Sequence, residues 1–282
     1  MTALALNIVL SVAFFHVIRA AQVRGSNMMV VGAVNYVLAS SLCFGISIAE
    51  GNTALSPPTL FWGVVQGLAF VCSFFLICAS MNLTGMAIAT AILRLSVVIP
   101  VLASILYWGE VPSTYQVLGI LACLASLPLI GTRARNVGKS AGLGWRELWI
   151  LGLLFLGPGV ARVASKGFVE AQVPDARTTF MGVLYGVAAL GVLATFLSPR
   201  RRRSLSGGWD GVKMGIVNVS SIITMLVALE QVRGVVVFPV QTSAGLVLNS
   251  LFAALVWHER LTRKTWIGMG VAAFGLAFVN LD

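Results

Sequence analysis

In this chain of 282 residues, Arg94 is the residue whose position is hardest to explain by helix packing alone. It lies near the middle of an apolar run from 85 to 107, where an arginine in a membrane-spanning helix costs about 2.5–3.5 kcal/mol. The nine acidic residues all fall in predicted loops or at the ends of apolar runs, so none is expected at the same depth. Because a guanidinium binds a carboxylate through two parallel hydrogen bonds, we predict that Arg94 faces a central cavity and binds an anionic group of a small molecule.

Three alternatives for Arg94 stay open at this stage. Its long side chain could reach the membrane surface, bond backbone carbonyls near Pro100, or hold a loop acid. Neutral polar side chains at other inward positions would complete a substrate-binding set with Arg94. Each is also explained by a hydrogen bond between helices, worth about 0.6 kcal/mol, and the two tyrosines also by anchoring at the membrane interface. The neutral members of this predicted set are Asn35, Tyr36, Gln66, Tyr185, Asn218, Gln241, Thr242 and Asn249.

The residue pattern argues against catalysis, metal binding and cofactor binding. A membrane-embedded transferase needs clustered acids or a nucleophile beside a base, and the acidic residues here are scattered. The four cysteines lie in apolar runs without Cys-x-x-Cys spacing, so we interpret them as packing residues. The lack of an embedded carboxylate also disfavours proton-coupled export of cationic drugs. We therefore predict no catalytic residue, no metal and no cofactor.

The composition places these residues in a membrane. With 58% hydrophobic residues, 10% charged residues and a mean hydropathy of +0.95, the chain is too apolar for a water-soluble domain. Apolar runs of roughly 17–25 residues, each long enough to cross the hydrocarbon core, cover nearly all of it. We predict an all-α, multi-pass protein of the cell (inner) membrane. The ten predicted helices are 2–18, 28–49, 59–80, 85–107, 115–130, 147–165, 178–197, 212–229, 234–257 and 265–281.

The net charge of +10 comes from basic residues at the ends of apolar runs. Without interleaved aromatic residues they do not form a nucleic-acid surface, and we interpret them as topology signals and contacts with anionic lipids. The run from Arg200 to Arg203 is predicted to contact lipid headgroups. Most loop cations, with Arg162 and Lys166 counted among the exceptions, fall on the side away from the termini, and the positive-inside rule would then place both termini outside the cytoplasm.

The chain matches itself at an offset of 149 residues. The halves, 1–131 and 147–282, are joined by 132–146, and each holds five predicted helices. Since five is odd, the second half must be inverted relative to the first, an architecture common among secondary transporters that alternate access to a central site. The matched pairs are Tyr36 with Tyr185, Gly85 with Gly234, Trp108 with Trp257, Glu110 with Glu259 and Gly119 with Gly268.

Two glycine pairs also repeat, at an offset of 148 residues. Gly63 and Gly67 in the third predicted helix correspond to Gly211 and Gly215 in the eighth. Glycines four residues apart let helix backbones approach closely in a membrane. We predict that both pairs serve helix packing rather than a cargo path.

The ends of the two halves resemble a known family. The segment from Gly85 to Gly131, with Tyr107-Trp108-Gly109-Glu110-Val111-Pro112 as its corner, resembles the EamA-type repeat of the drug/metabolite transporter superfamily, and Gly234 to Leu281 resembles a second copy. The sequence departs from the pattern at His258, where glycine is usual, and at Asn249, which stands opposite Pro100. The resemblance implies ten helices and transport of a small metabolite, often outward, with the termini commonly cytoplasmic. That orientation conflicts with the count of basic residues.

These observations predict a secondary transporter that moves a small polar metabolite across the membrane by alternating access. The predicted metabolite bears a carboxylate, as an amino acid or an organic acid does. The predicted partners are this substrate and membrane lipids, with no nucleic acid, and a monomer suffices because both repeats lie in one chain. The alternatives are a flippase for a lipid-linked precursor and, less well supported, a membrane-embedded enzyme.

Overall fold

The computed structural model describes residues 1–52, 55–83, 92–131, 145–197, 206–256 and 262–279. Every regular element within these ranges is helical, as the apolar pattern predicts. The Arg200–Arg203 run, Gly85 and the corner at Trp257 to Glu259 lie outside the described residues. The helices are α1 (Thr2–Val23), α2 (Met28–Ala49), α3 (Pro57–Leu83), α4 (Val98–Leu106), α5 (Thr114–Gly131), α6 (Trp145–Glu170), α7 (Arg177–Leu193), α8 (Gly208–Gln231), α9 (Gly234–Val256) and α10 (Arg263–Val279).

Seven of the described helices are long and apolar enough to cross a membrane: α1, α2, α3, α6, α7, α8 and α9. The apolar helical segments Ile92–Leu106 and Thr114–Leu127 are shorter, and α10 has 17 residues. Each α-helix satisfies its backbone groups internally, which is the requirement that hydrocarbon imposes on a spanning segment.

Most predicted helix boundaries agree with the structure within a few residues, and the exceptions are the ends of α1 and α6, each five residues later than predicted. Because α1 continues to Val23, the assignment of Arg19 to a loop is wrong. The prediction for α2, 28–49, matches Met28–Ala49, where the Asn27 side chain caps the helix by accepting from the Met29 amide at 3.1 Å. In contrast, α6 continues to Glu170, so the assignment of Arg162 and Lys166 to a loop is wrong. Lys166 is buried and forms an ion pair with Glu170 one turn later, which lets the helix extend through both charges.

The chain forms two compact units that do not coincide with its sequence halves. Unit 1 contains Met1–Val71 and Ala164–Gln231, and unit 2 contains Cys72–Val163 and Val232–Asp282. Each unit therefore takes helices from both halves. The break points fall within α3 and α6, so each of these two helices contributes to both units.

In unit 1, α2 packs against α7 and α8, and α1 packs against α8. The α2–α7 pair is antiparallel, because Tyr36 meets Tyr185 while Ser47, further along α2, bonds Thr179, which comes earlier in α7. Tyr36 and Tyr185 are the aromatic pair that the repeat offset matches.

The repeated glycines make corresponding contacts within unit 1. A methyl group on Gly67 would lie 2.6 Å from a backbone carbonyl of α7, and one on Gly215 would lie 3.2 Å from a backbone carbonyl of α2. The predicted packing role of both glycine pairs is thereby confirmed. Residues of α2 and α7 that meet these glycines are themselves 149 apart. The matched contacts are Gly63 with Val183, Gly211 with Val34, Gly67 with Leu184 and Gly215 with Asn35.

In unit 2, α10 packs against α5, and α9 packs against α4, α5 and α10. The α5–α10 pair is antiparallel, because Tyr115 meets Phe278 with ring centroids 6.4 Å apart while Gly119, one turn later, lies against Gly275. A Cβ on Gly119 would be 2.7 Å from the Gly275 carbonyl, so only glycine permits this approach.

Candidate functional site

Arg94 lies in the fourth helical segment, just before a local irregularity. It belongs to a helical stretch at 92–95, and a turn at Ser96 and Val97 connects this stretch to α4. The Arg94 side chain is half-buried, and the described residues place no acidic group against its guanidinium. Among the described residues, Arg94 is therefore a cation within an apolar segment with no carboxylate against its guanidinium.

Arg162 is a second cation of this kind, and the sequence analysis missed it. It lies within α6, and its Nη1 donates to Ser96 Oγ at the long distance of 3.5 Å. Ser96 is fully buried, and its hydroxyl donates in turn to the Leu93 carbonyl at 2.6 Å. The available signal was the apolar run on both sides of Arg162, which continues the helical pattern instead of ending it.

The contact between Arg162 and Ser96 depends on close packing of α6 against the fourth segment. Gly159, one turn before Arg162, lies against the side chain of Ile99, one turn after Ser96. A side chain at Gly159 would overlap Ile99, so the glycine sets the spacing that brings Ser96 to the Arg162 guanidinium. Leu93 on the same segment packs against a small core on α6.

The predicted polar residues of α9 also belong to unit 2. Gln241, Thr242 and Asn249 are half-buried along this helix. Thr242 Oγ1 is inaccessible to solvent and has no hydrogen-bond partner among the described residues. The neighbouring Ser243 is fully buried, and its hydroxyl lies 3.4 Å from that of Ser126 on α5. Three of the predicted site residues therefore lie on a helix that packs against α4.

The predicted amides of unit 1 bond to their neighbours. Asn218 Nδ2 on α8 donates to Asn35 Oδ1 on α2 at 3.2 Å, and both side chains are buried. Gln66 Oε1 on α3 accepts from Ser165 Oγ on α6 at 3.1 Å, in a fully buried contact. In this conformation these amides connect helices, which is the packing alternative raised for each of them.

The two predicted tyrosines meet inside unit 1. The ring centroids of Tyr36 and Tyr185 lie 6.4 Å apart, with an interplanar angle of 31°. Both side chains are buried, and the Tyr185 hydroxyl has no hydrogen-bond partner within the described ranges. A buried hydroxyl without a partner costs about 1–3 kcal/mol of stability. Tyr185 therefore contributes less to stability than a core tyrosine whose hydroxyl is hydrogen-bonded.

A buried polar contact between α1 and α8 also escaped the sequence analysis. Asn7 is 1% exposed, and its Nδ2 donates to the Ser221 carbonyl at 2.7 Å. Ser11 and Thr224 extend the contact through their hydroxyls. At the end of the same helix pair, Arg24 and Ser26 both bond the Asp210 carboxylate. These contacts join α1 to α8 along most of their length.

The corner motif between α4 and α5 holds the start of α9. The Glu110 carboxylate accepts from the backbone amides of Gly234 at 2.9 Å and Val235 at 2.7 Å, which are the first residues of α9. Arg233, just before the helix, donates to the Val111 carbonyl at 2.9 Å. Gly109 has a φ of +64°, a conformation that favours glycine and directs the chain around the corner.

Two adjoining cavities lie at one end of unit 1, apart from every predicted site residue. Their volumes are about 290 Å³ and 310 Å³, and both reach Phe168, Val173 and Glu230. Glu230 forms an ion pair with Arg177 at 2.6 Å, and Thr178 donates to Glu50 at 3.1 Å. These polar contacts tie the ends of α2 and α8 to the start of α7.

The described helices are those of a multi-pass membrane protein, and within them Arg94 and Arg162 lie in apolar segments with no described acidic group against either guanidinium. A model of the EamA-like transporter family matches residues 2–132 and 145–281. The chain belongs to this family, which is part of the drug/metabolite transporter superfamily. The predicted resemblance is thereby confirmed.

Two similar proteins add to this assignment. An uncharacterized protein of Haemophilus influenzae is 24% identical over 211 residues, which cover 72% of this chain and 69% of that protein. A protein of known crystal structure is 18% identical, with a TM-score of 0.77, and the match covers 99% of this chain and 96% of that one. The second comparison shows that the two chains share a fold.

Proposed function

We propose that this protein is a secondary transporter that moves a small, carboxylate-bearing metabolite across the cell membrane by alternating access. Membership of a transporter family supports transport, and Arg94 supports an anionic cargo. The proposal depends above all on the observation that Arg94 lies within an apolar segment without an acidic partner in the described residues. Binding an anion would offset the cost of burying its charge.

The proposed mechanism requires that the two halves be inverted repeats. The antiparallel pairing of α2 with α7, and of α5 with α10, supports this, because each pair consists of corresponding helices from the two halves. The matched contacts of the repeated glycines support it as well. Two similar halves of opposite orientation can adopt each other's conformation, and the site then opens to one side and next to the other.

The proposed substrate-binding residues fall into two groups. On unit 2, Arg94 binds the carboxylate, and Gln241, Thr242 and Asn249 provide neutral polar contacts. The predicted residues of unit 1 also stay within the proposed set, although each amide among them now bonds a neighbouring helix. They are Asn35, Tyr36, Gln66, Tyr185 and Asn218. One chain holds both repeats, so the proposed working form is a monomer among membrane lipids.

Transport assays in proteoliposomes test this function. A stability screen of the purified protein against amino acids, organic acids and nucleotide sugars would first identify a ligand, because a ligand that binds the folded state raises stability by mass action. Uptake of that ligand is then compared for the wild type, Arg94→Gln, Arg94→Lys and the exposed control Arg263→Gln. We expect the Gln variant at Arg94 to lose uptake and the control to keep it. Full uptake by Arg94→Gln would refute the proposed role of this residue.

A further inference from the structure

A capping box at the start of α5 fixes the side chain of Gln116. The Gln116 backbone amide donates to Ser113 Oγ at 3.3 Å, and Gln116 Oε1 accepts from the Ser113 backbone amide at 3.2 Å. Gln116 is 5% exposed, so packing holds it in place as well as these two hydrogen bonds. Because a carbonyl oxygen has two lone pairs, Oε1 can accept from a second donor at a fixed position.

Arg233 provides that second donor. Its Nη2 donates to Gln116 Oε1 at 3.3 Å, and its Nη1 donates to the Val111 carbonyl at 2.9 Å. The Arg233 carbonyl accepts from the Val237 amide at 3.0 Å, in the first turn of α9. This one residue therefore joins the start of α9 to the corner before α5, in addition to the bonds that Glu110 makes. All of these residues belong to unit 2.

The sequence of the second repeat does not provide the same connection. At the offset of 149 residues, Thr84 stands opposite Arg233, and Thr265 stands opposite Gln116. The helix cap itself recurs, because Thr262 Oγ1 accepts from the Thr265 amide at 3.2 Å. The arginine does not recur, and the second corner is itself cationic. Its basic residues are Arg260, Arg263 and Lys264.

We propose that Arg233, with Val111 and Gln116, forms a clamp that holds the start of α9 against the corner and must release when this end of the protein opens. In a ten-pass chain, α4 ends and α9 begins on the membrane side of the termini, so the clamp acts on that side. Inverted repeats exchange conformations during alternating access, and only one repeat carries the clamp. The clamp therefore favours the conformation described here over its counterpart. This inference rests on the proposed transport function and adds a bias between its two conformations.

Hydrogen–deuterium exchange of the purified chain tests the clamp, because a backbone amide exchanges when its local structure opens. The reporter segment is 232–240, in which Val235 and Val237 are fully buried. Arg233→Thr gives both repeats threonine at this position. We expect it to speed exchange of the reporter segment roughly two- to tenfold, as expected for charged hydrogen bonds of an exposed arginine. Arg233→Lys keeps the charge without the planar fork, so it should give an intermediate rate.

The matched control is Gln231→Thr. Gln231 is exposed two residues earlier, and its side chain forms no hydrogen bond with any described residue. The segment 268–278 of α10 serves as a reference in the same unit. If Arg233 contributed only to overall stability, Arg233→Thr would speed exchange in both segments and lower the melting temperature. The clamp predicts faster exchange in the reporter segment alone, with melting within about one degree of wild type. Equal reporter exchange in Arg233→Thr and Gln231→Thr, or a matching rise in the reference segment, would overturn the inference.

Flux measurements in proteoliposomes separate this inference from the transport proposal. Faster reporter exchange in Arg233→Thr without flux of any ligand would leave the clamp and remove the transporter. Flux of an identified ligand together with unchanged reporter exchange would do the reverse.

Discussion

Replacing Glu110 should destabilise the start of α9. The two Glu110 oxygens accept from consecutive backbone amides at 2.9 and 2.7 Å, in the position of a helix cap. Loss of a capping side chain costs about 1 kcal/mol, and loss of a negative charge at a helix N-terminus costs about 0.3–1 kcal/mol more. We therefore expect Glu110→Ala to lower the free energy of unfolding by about 2 kcal/mol. Glu110→Gln, which keeps one acceptor oxygen without the charge, should lose about half as much.

Thermal unfolding in detergent, followed by circular dichroism, measures this effect. A loss of about 2 kcal/mol corresponds to roughly 3–4 °C in a chain of 282 residues. The matched control is Glu230→Gln, which removes a carboxylate from an ion pair with Arg177 whose side chains are 38% and 41% exposed. Exposed pairs of this kind contribute about 0–1 kcal/mol. If Glu110→Ala melted within a degree of this control, the capping argument would be wrong.

Further predictions concern the packing of unit 1. Gly67→Ala and Gly211→Ala should each destabilise the protein by about 1–3 kcal/mol in thermal melts, because the added methyl would lie 2.6 Å from α7 or α2 atoms. Gly152→Ala, whose methyl would meet nothing within 4 Å, should melt at or above the wild-type temperature. Asn218→Leu should cost about 1–3 kcal/mol because Asn35 is left buried without its partner, and a smaller loss in the double variant with Asn35→Leu would confirm the coupling.

Sequence reasoning predicted the helices where hydrophobicity and a capping residue agree. The start of α2 is an example, since Asn27 caps it directly before an apolar run. The end of α6 could not be predicted in this way. In the sequence, the charged segment that contains Lys166 and Glu170 has the composition of a loop. Only the structure shows that the two side chains pair along one face of a helix.

The candidate site could be predicted only in part, because it also depends on contacts between distant residues. The repeat offset matched Tyr36 with Tyr185 in the sequence. Their contact, however, depends on the antiparallel packing of α2 and α7, which the residue pattern does not specify. Arg162 was missed because a charge near a predicted helix end was taken for a loop residue. The importance of Arg162 follows from its contact with Ser96, a residue 66 positions away in the chain.

The two units differ in how their buried polar groups are satisfied. In unit 1, amides bond amides or hydroxyls, as in Asn35 with Asn218, and the cations Lys166 and Arg177 each pair with a glutamate. In unit 2, Arg94 and Arg162 meet no acidic group among the described residues, and burying a guanidinium costs several times more than burying a neutral group. A packing role can explain the first arrangement, because each bond stabilises a helix pair. It cannot explain the second, because a leucine at Arg94 or Arg162 would pack without the cost of a charge. The cations of unit 2 are therefore where an anionic cargo has most to contribute.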